Sequence, residues 1–114
     1  MKSYSYPFME EEYKLGFVFA RYANNRNLYV GLVNLGNEDD PYFCDLTINV
    51  ASLPFCTATI DDCLDSSICD WLERIGAGKS CNQRMRGGFR SYPLFEFDLL
   101  FLQEANPESY GALL

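Results

Sequence analysis

The chain contains no histidine. That absence removes Ser-His and Cys-His nucleophile pairs and every histidine general base. It also removes the commonest metal ligand. Any catalysis would have to run on cysteine, tyrosine, lysine or carboxylates, so a non-enzymatic role with no cofactor is the expectation. Long apolar runs are missing as well. No stretch approaches the roughly 20 apolar residues of a membrane helix, and "MKSYSYPFMEEEYK" has no apolar run of signal-peptide length before its glutamates. The expected location is the cytoplasm, without membrane attachment. Basic residues are few: nine, against sixteen acids, for a net charge of −7. A surface of that sign is repelled by the DNA backbone, which disfavours direct duplex binding. It suits an encounter with a basic partner surface.

Cysteine is present but unpatterned. Cys44, Cys56, Cys63, Cys69 and Cys81 are odd in number, form no C-x-x-C and stand at irregular intervals. In a reducing compartment that argues for free thiols, with neither a disulfide framework nor a structural metal.

The residues that are abundant point to a packed globule. Of 114 residues, 48% are hydrophobic and 16% aromatic, enough for one domain with one core. The expected organisation is a flexible N-terminal arm over residues 1–12, a single α+β domain over 13–105 and a frayed tail over 106–114. Residues 13–23 alternate in part, and residues 28–35 continue in β-branched and apolar residues after "NNRN". Asparagines tolerate positive φ, so this reads as a hairpin. The cluster "GNEDDP" marks a second turn, followed by a third strand over 42–50 with Cys44, Leu46, Ile48 and Val50 on its core face. Residues 55–60 suit a short strand or an extended loop.

"DSSICDWLERIG" predicts a helix, with Ser66 or Ser67 as cap and Ile68, Leu72 and Ile75 as the apolar stripe. Gly76 is its left-handed stop. Residues 89–97 read as a last long strand in which Pro93 implies an edge or a bulge. Asp98 caps a short terminal helix. The fold class is therefore α+β: an antiparallel sheet of four to five strands, beginning with a meander, packed against one main helix, plus a short C-terminal helix.

"GAGKS", residues 76–80, invites comparison with a phosphate-binding loop. Such a loop reads G-x-x-x-x-G-K-[ST], follows a strand and opens a helix. Here the first glycine position holds Glu73, and the segment follows a helix. The expectation is an exposed connection over 76–88, not a nucleotide cradle.

Charge is unevenly spread. Residues 74–90 hold five basic residues and no acid, and the rest of the chain holds four basic and sixteen acidic residues, a balance of −12. Lys79, Arg84, Arg86 and Arg90 are the candidates for contact with a phosphate or an acidic partner, since arginine forks match phosphate oxygens in pairs. They carry the alternative reading, a small-ligand binder that sequesters a nucleotide signal. The acids fall into groups. Glu38, Asp39 and Asp40, with Asp61, Asp62 and Asp65, are candidates for binding a nucleic-acid-binding protein by imitating phosphate spacing. Neither group has the alternating ligands of a calcium loop.

Taken together, "RYANNRNLYVGLVNL", "DLTINVASLP", "CDWLERIGAG" and "SYPLFEFDL" resemble an uncharacterised family of short proteins from phages and conjugative elements of gut bacteria. The likeness runs from about residue 13 to residue 102, with a departure at Arg26, where relatives tend to carry glycine. The resemblance implies a small accessory gene of a mobile element. Such genes often encode inhibitors of host defence, including anti-CRISPR and anti-restriction proteins. The expected function is thus a non-enzymatic inhibitor whose partner is a host defence protein or nuclease complex.

Overall fold

The computed structural model describes residues 1–113. Eight strands and three short helices follow in the order β1 (Tyr4–Phe8), β2 (Glu11–Arg21), β3 (Leu28–Asn34), β4 (Tyr42–Asp45), β5 (Thr47–Ile48), β6 (Thr57–Ile60), α1 (Ile68–Arg74), β7 (Gly78–Gly87), β8 (Arg90–Phe97), α2 (Leu99–Ala105) and α3 (Pro107–Gly111). They form two four-stranded antiparallel sheets, ordered β1-β2-β3-β4 and β5-β6-β8-β7. The α+β class and the meander stand. The single sheet becomes two, and three small helices stand where one main helix and a short C-terminal helix were expected.

The division occurs at Leu46. Its N–H donates to the Val30 carbonyl at 2.9 Å, and its own carbonyl accepts from the Asp61 N–H at 2.9 Å. One peptide bond thus belongs to the first sheet and the next to the second. A buried backbone must find partners for both groups, and here two different sheets supply them. The expected alternation over 42–50 fails for that reason. Leu46 and Thr47 are both buried, and the Thr47 hydroxyl accepts from the Val30 N–H at 3.1 Å.

Residues 1–12 are not a loose arm. Tyr4–Phe8 pairs with β2 as an edge strand, with Pro7 tolerated at the edge. Met9 and Glu10, at φ 51° and 65°, make the reversal with the handedness that suits strand twist. Tyr6 is buried, and the Trp71 indole N–H donates to the Ser5 carbonyl at 2.8 Å, which ties β1 to α1. The β2–β3 hairpin forms as expected. Arg26 at its turn has φ 63°, the conformation glycine adopts most readily.

Residues 76–88 do not form an open connection. Gly78–Gly87 is an edge strand paired with β8. An edge strand facing solvent needs little apolar alternation, so its polar sequence concealed it. At Gly78 a Cβ would meet the Glu96 carbonyl oxygen at 2.0 Å, so only glycine allows the two strands to close there. The ladder shifts register between Ser80 and Arg84, where Asn82 has φ 56°. Pro93 stands opposite Arg84 at the end of that irregularity, which is how a proline fits a strand flanked on both sides.

Gly76 ends α1 at φ 86°, as expected. The Ser67 side chain makes no cap. Instead the Asp65 carboxylate accepts from the Ser67 N–H at 2.9 Å and its hydroxyl at 2.7 Å. Asp98 caps α2 by accepting from the Leu100 N–H at 3.0 Å. The expected frayed tail is a docked helix: the Asn106 amide donates to the Phe17 carbonyl at 2.9 Å, the Ser109 hydroxyl accepts from the Phe19 N–H at 2.7 Å, and Leu113 is buried. Leu114 lies outside the described residues. The core centres on Phe17, whose ring meets Tyr4 edge-on at 5.5 Å, Phe101 edge-on at 5.3 Å and Trp71 face-on at 6.1 Å. Both α1 and α2 therefore pack on the β2 face of the first sheet.

Candidate functional site

A cleft of about 490 Å³ opens where β1, β4 and the segment leading into α1 meet. Tyr6 and Phe8 come from β1, and Tyr42, Phe43, Cys44 and Asp45 from β4. Asp61, Leu64, Asp65 and Ile68 complete it. Tyr6 holds the aromatic wall together, stacked on Phe8 at 5.9 Å and edge-on to Phe43 at 6.0 Å. Its hydroxyl donates to Asp65 Oδ2. Asp45 Oδ1 accepts from the Tyr29 hydroxyl at 2.6 Å, and Asp61 Oδ1 accepts from the Cys63 N–H at 3.1 Å. Asp45, Asp61 and Asp65 border the cleft and no cationic residue does, but Asp45 stands opposite Gly31, so its carboxylate lies on the Tyr29 face of the sheet.

The local field is visible in the titrating groups. Burial, followed by the Asp45 and Asp61 carboxylates, pushes the Cys44 thiol up to about 11. Burial and the hydrogen bond to Asp65 raise the Tyr6 phenol. Burial would raise Asp65, but hydrogen bonds from Tyr6 and Ser67 outweigh it and hold this carboxyl below its ordinary value. At neutral pH Asp65 is anionic and Tyr6 and Cys44 are neutral.

The acids expected from the sequence to act together are separated. Asp61 and Asp65 line the cleft. Asp62 turns to Arg84 Nη2 at 3.3 Å. Glu38, Asp39 and Asp40 are exposed in the β3–β4 turn, outside the cleft lining. Asp45 and the aromatic wall escaped the sequence reading. Asp45 stood on the polar side of its strand, and no local signal indicates that β4 lies beside the segment entering α1.

The basic residues form no clamp. Arg84 is held by Asp62 and by Ser91, whose hydroxyl accepts from Nε at 2.9 Å and whose carbonyl accepts from Nη2 at 2.8 Å. Arg86 and Arg90 are exposed, and among the described residues neither has a hydrogen-bonded or ionic partner on its side chain. Arg86 stands opposite Ser91 and Arg90 opposite Gly87, so the two arginines project from opposite faces of the hairpin. Phe89 at the tip is fully exposed, at 101%. Lys79 shares a shallow depression with Glu96 and Asp98, two carboxylates that oppose a phosphate. Glu73 occupies the place of the first glycine of a phosphate loop, and its Oε2 accepts the Ser80 N–H at 3.0 Å. The backbone donor a phosphate would require is thus already engaged.

Among the described residues, no group of three or more cysteine or acidic side chains is placed to hold a metal ion. All five cysteines are free thiols, and Cys63 is the exposed one. No helix of the described residues is long and apolar enough to cross a membrane.

The asparagine-rich turn is structural. Asn49 Oδ1 accepts from the amides of Asn25 at 3.0 Å and Asn27 at 2.9 Å, and the Asn49 amide donates to Asn24 at 2.9 Å. Buried Asn27 also donates to the Ala51 carbonyl at 2.7 Å and accepts from the Leu53 N–H at 3.0 Å. "YANNRN" and "INVASLP" thus meet and fasten the hairpin of the first sheet to the β5–β6 connection of the second, away from the cleft.

Neither the curated proteins nor the solved structures include a match to this chain. A family of unknown function does match, over residues 17–112, which takes in β3 to α3, the C-terminal part of β2 from Phe17 and every cleft residue except Tyr6 and Phe8. The chain belongs to the family described as "Domain of unknown function (DUF4313)".

Proposed function

We propose that this chain is a non-catalytic binding protein that engages a basic, nucleic-acid-binding partner through its acidic surface, and that the partner is a nuclease complex of a bacterial defence system. One observation carries the reading: Asp61 and Asp65 converge on an aromatic-walled cleft with no cation in its lining, and Asp45 stands at the neighbouring strand edge. A low-dielectric concave wall concentrates the field of the carboxylates and attracts the positive groups that such nucleases use to hold phosphate. The balance of −12 outside residues 74–90 adds long-range attraction. The resemblance to short proteins of phages and conjugative elements supplies the biological setting.

The experiment is a phage-plating panel in bacterial strains carrying individual restriction and CRISPR systems, with and without the protein. Plating should rise in the presence of at least one system. The same system, purified, should lose DNA cleavage, and association should slow as salt rises. Reversing Asp45 and Asp61 to lysine should restore cleavage. If no defence system is affected, the reading falls.

A further inference from the structure

We infer that the cleft between β1, β4 and the start of α1 is a receptor for one arginine side chain presented by the partner protein. The inference rests on the acidic-surface reading for the partner's identity, and on the cleft alone for its chemistry. Its walls are Tyr6, Phe8, Tyr42 and Phe43, with Asp61 among them and no lysine or arginine. Such a lining selects a cation that is also flat and weakly hydrated. Guanidinium stacks on aromatic faces while forking to carboxylate oxygens, whereas an ammonium is a strongly hydrated point charge.

The three aspartates differ in role. Both Asp65 oxygens are occupied, Oδ1 by Ser67 and Oδ2 by Tyr6, so Asp65 positions the Tyr6 ring. Asp45 stands opposite Gly31, and its Oδ1 accepts from Tyr29 on that face of the sheet, so its carboxylate is turned away from the Tyr6 wall. Asp61 is the contact group. The ligand is attached to a protein because of the rim. Tyr42 is 61% exposed and Leu64 81% exposed. A small free cation would leave that apolar edge in water, whereas the backbone flanking an arginine would cover it.

The test is a titration of the full chain, by calorimetry and by amide chemical shifts, with a short glycine-flanked arginine peptide. Parallel arms use the same peptide with lysine, the same peptide with citrulline, and free spermidine. The arginine peptide should shift the amides of Tyr42, Asp45 and Asp61. Lysine should bind about tenfold more weakly, and citrulline and spermidine should not compete. Tyr42→Ala and Asp61→Asn should each weaken the arginine peptide by about tenfold. Both keep the fold, since Tyr42 is largely exposed and an asparagine oxygen still accepts from Cys63, and circular dichroism verifies this.

Equal binding of the citrulline peptide would overturn the inference, as would competition by spermidine or indifference to both variants. A nuclease block that survives both variants would overturn it too, while leaving the proposed function standing. Cleft binding of the arginine peptide without any nuclease block would support it and retire the defence reading alone.

Discussion

The Tyr6 hydroxyl donates a hydrogen bond to the Asp65 carboxylate across 59 positions of sequence, and so closes β1 against the segment that enters α1. One contact thereby fixes an aromatic wall of the cleft and the residue that holds Ser67 at the entrance to the helix.

This contact makes stability depend on acid. Hydrogen bonds from Tyr6 and Ser67 depress the Asp65 pKa, so the native state binds a proton less readily than the unfolded chain. The contribution is fully present above the ordinary carboxylate value of about 3.9 and is lost as pH falls through the lower folded value. Tyr6→Phe should cost about 1–3 kcal/mol at pH 7. The difference from wild type should shrink as pH falls below about 4 and through the depressed Asp65 value. Urea unfolding on both sides of that fall checks this, and a pH-independent difference would refute it.

Asn106 should be the weak point of the C-terminal segment. Its amide satisfies the buried Phe17 carbonyl, and its Oδ1 accepts from the Ser109 N–H at 3.1 Å. Asn106→Ala leaves both without partners and should destabilise the fold by about 1–3 kcal/mol. Amide exchange should quicken along β2 as well as α3. Faster exchange in α3 alone would show that the segment is an appendage.

The two glycines that flank the β7 strand should behave differently. A Cβ at Gly78 would meet the Glu96 carbonyl oxygen at 2.0 Å, whereas at Gly88, with φ 67°, it meets nothing within 4 Å. Gly78→Ala should cost about 1–3 kcal/mol or more through forced strand separation. Gly88→Ala should cost about 1 kcal/mol from backbone strain alone. Thermal melts of both variants decide the order, and equal losses would show that β7 is not held tightly at Gly78.

The arginines should separate by role. Arg84→Ala removes the bond to Asp62 and both contacts with Ser91, and should cost about 0.5–1 kcal/mol at low salt. Arg86→Ala and Arg90→Ala should each stay within about 0.5 kcal/mol. If these arginines or Lys79 hold a nucleotide, calorimetry with ATP and cyclic dinucleotides will detect it. The expected result is no heat of binding, in wild type or in Lys79→Ala.

Local chemistry was legible in the sequence wherever a residue acts on its near neighbours. The β2–β3 hairpin, the stop at Gly76, the cap at Asp98 and the irregularity at Pro93 all follow from φ preferences and side-chain reach over a few positions. So did the misfit of "GAGKS" with a phosphate loop, because Glu73 stands where glycine is needed. What tertiary structure alone decided are the features whose partners are distant in sequence. Leu46 divides its backbone between two sheets because Val30 and Asp61 approach it from opposite sides. The polar run over β7 is a strand because β8 pairs with it, and β1 is ordered because Trp71 and Asp65 reach it. The cleft belongs to this second class. Asp61 and Asp65 meet Tyr6 and Phe43 only when β4, the entrance to α1 and β1 converge, and no spacing along the chain encodes that meeting.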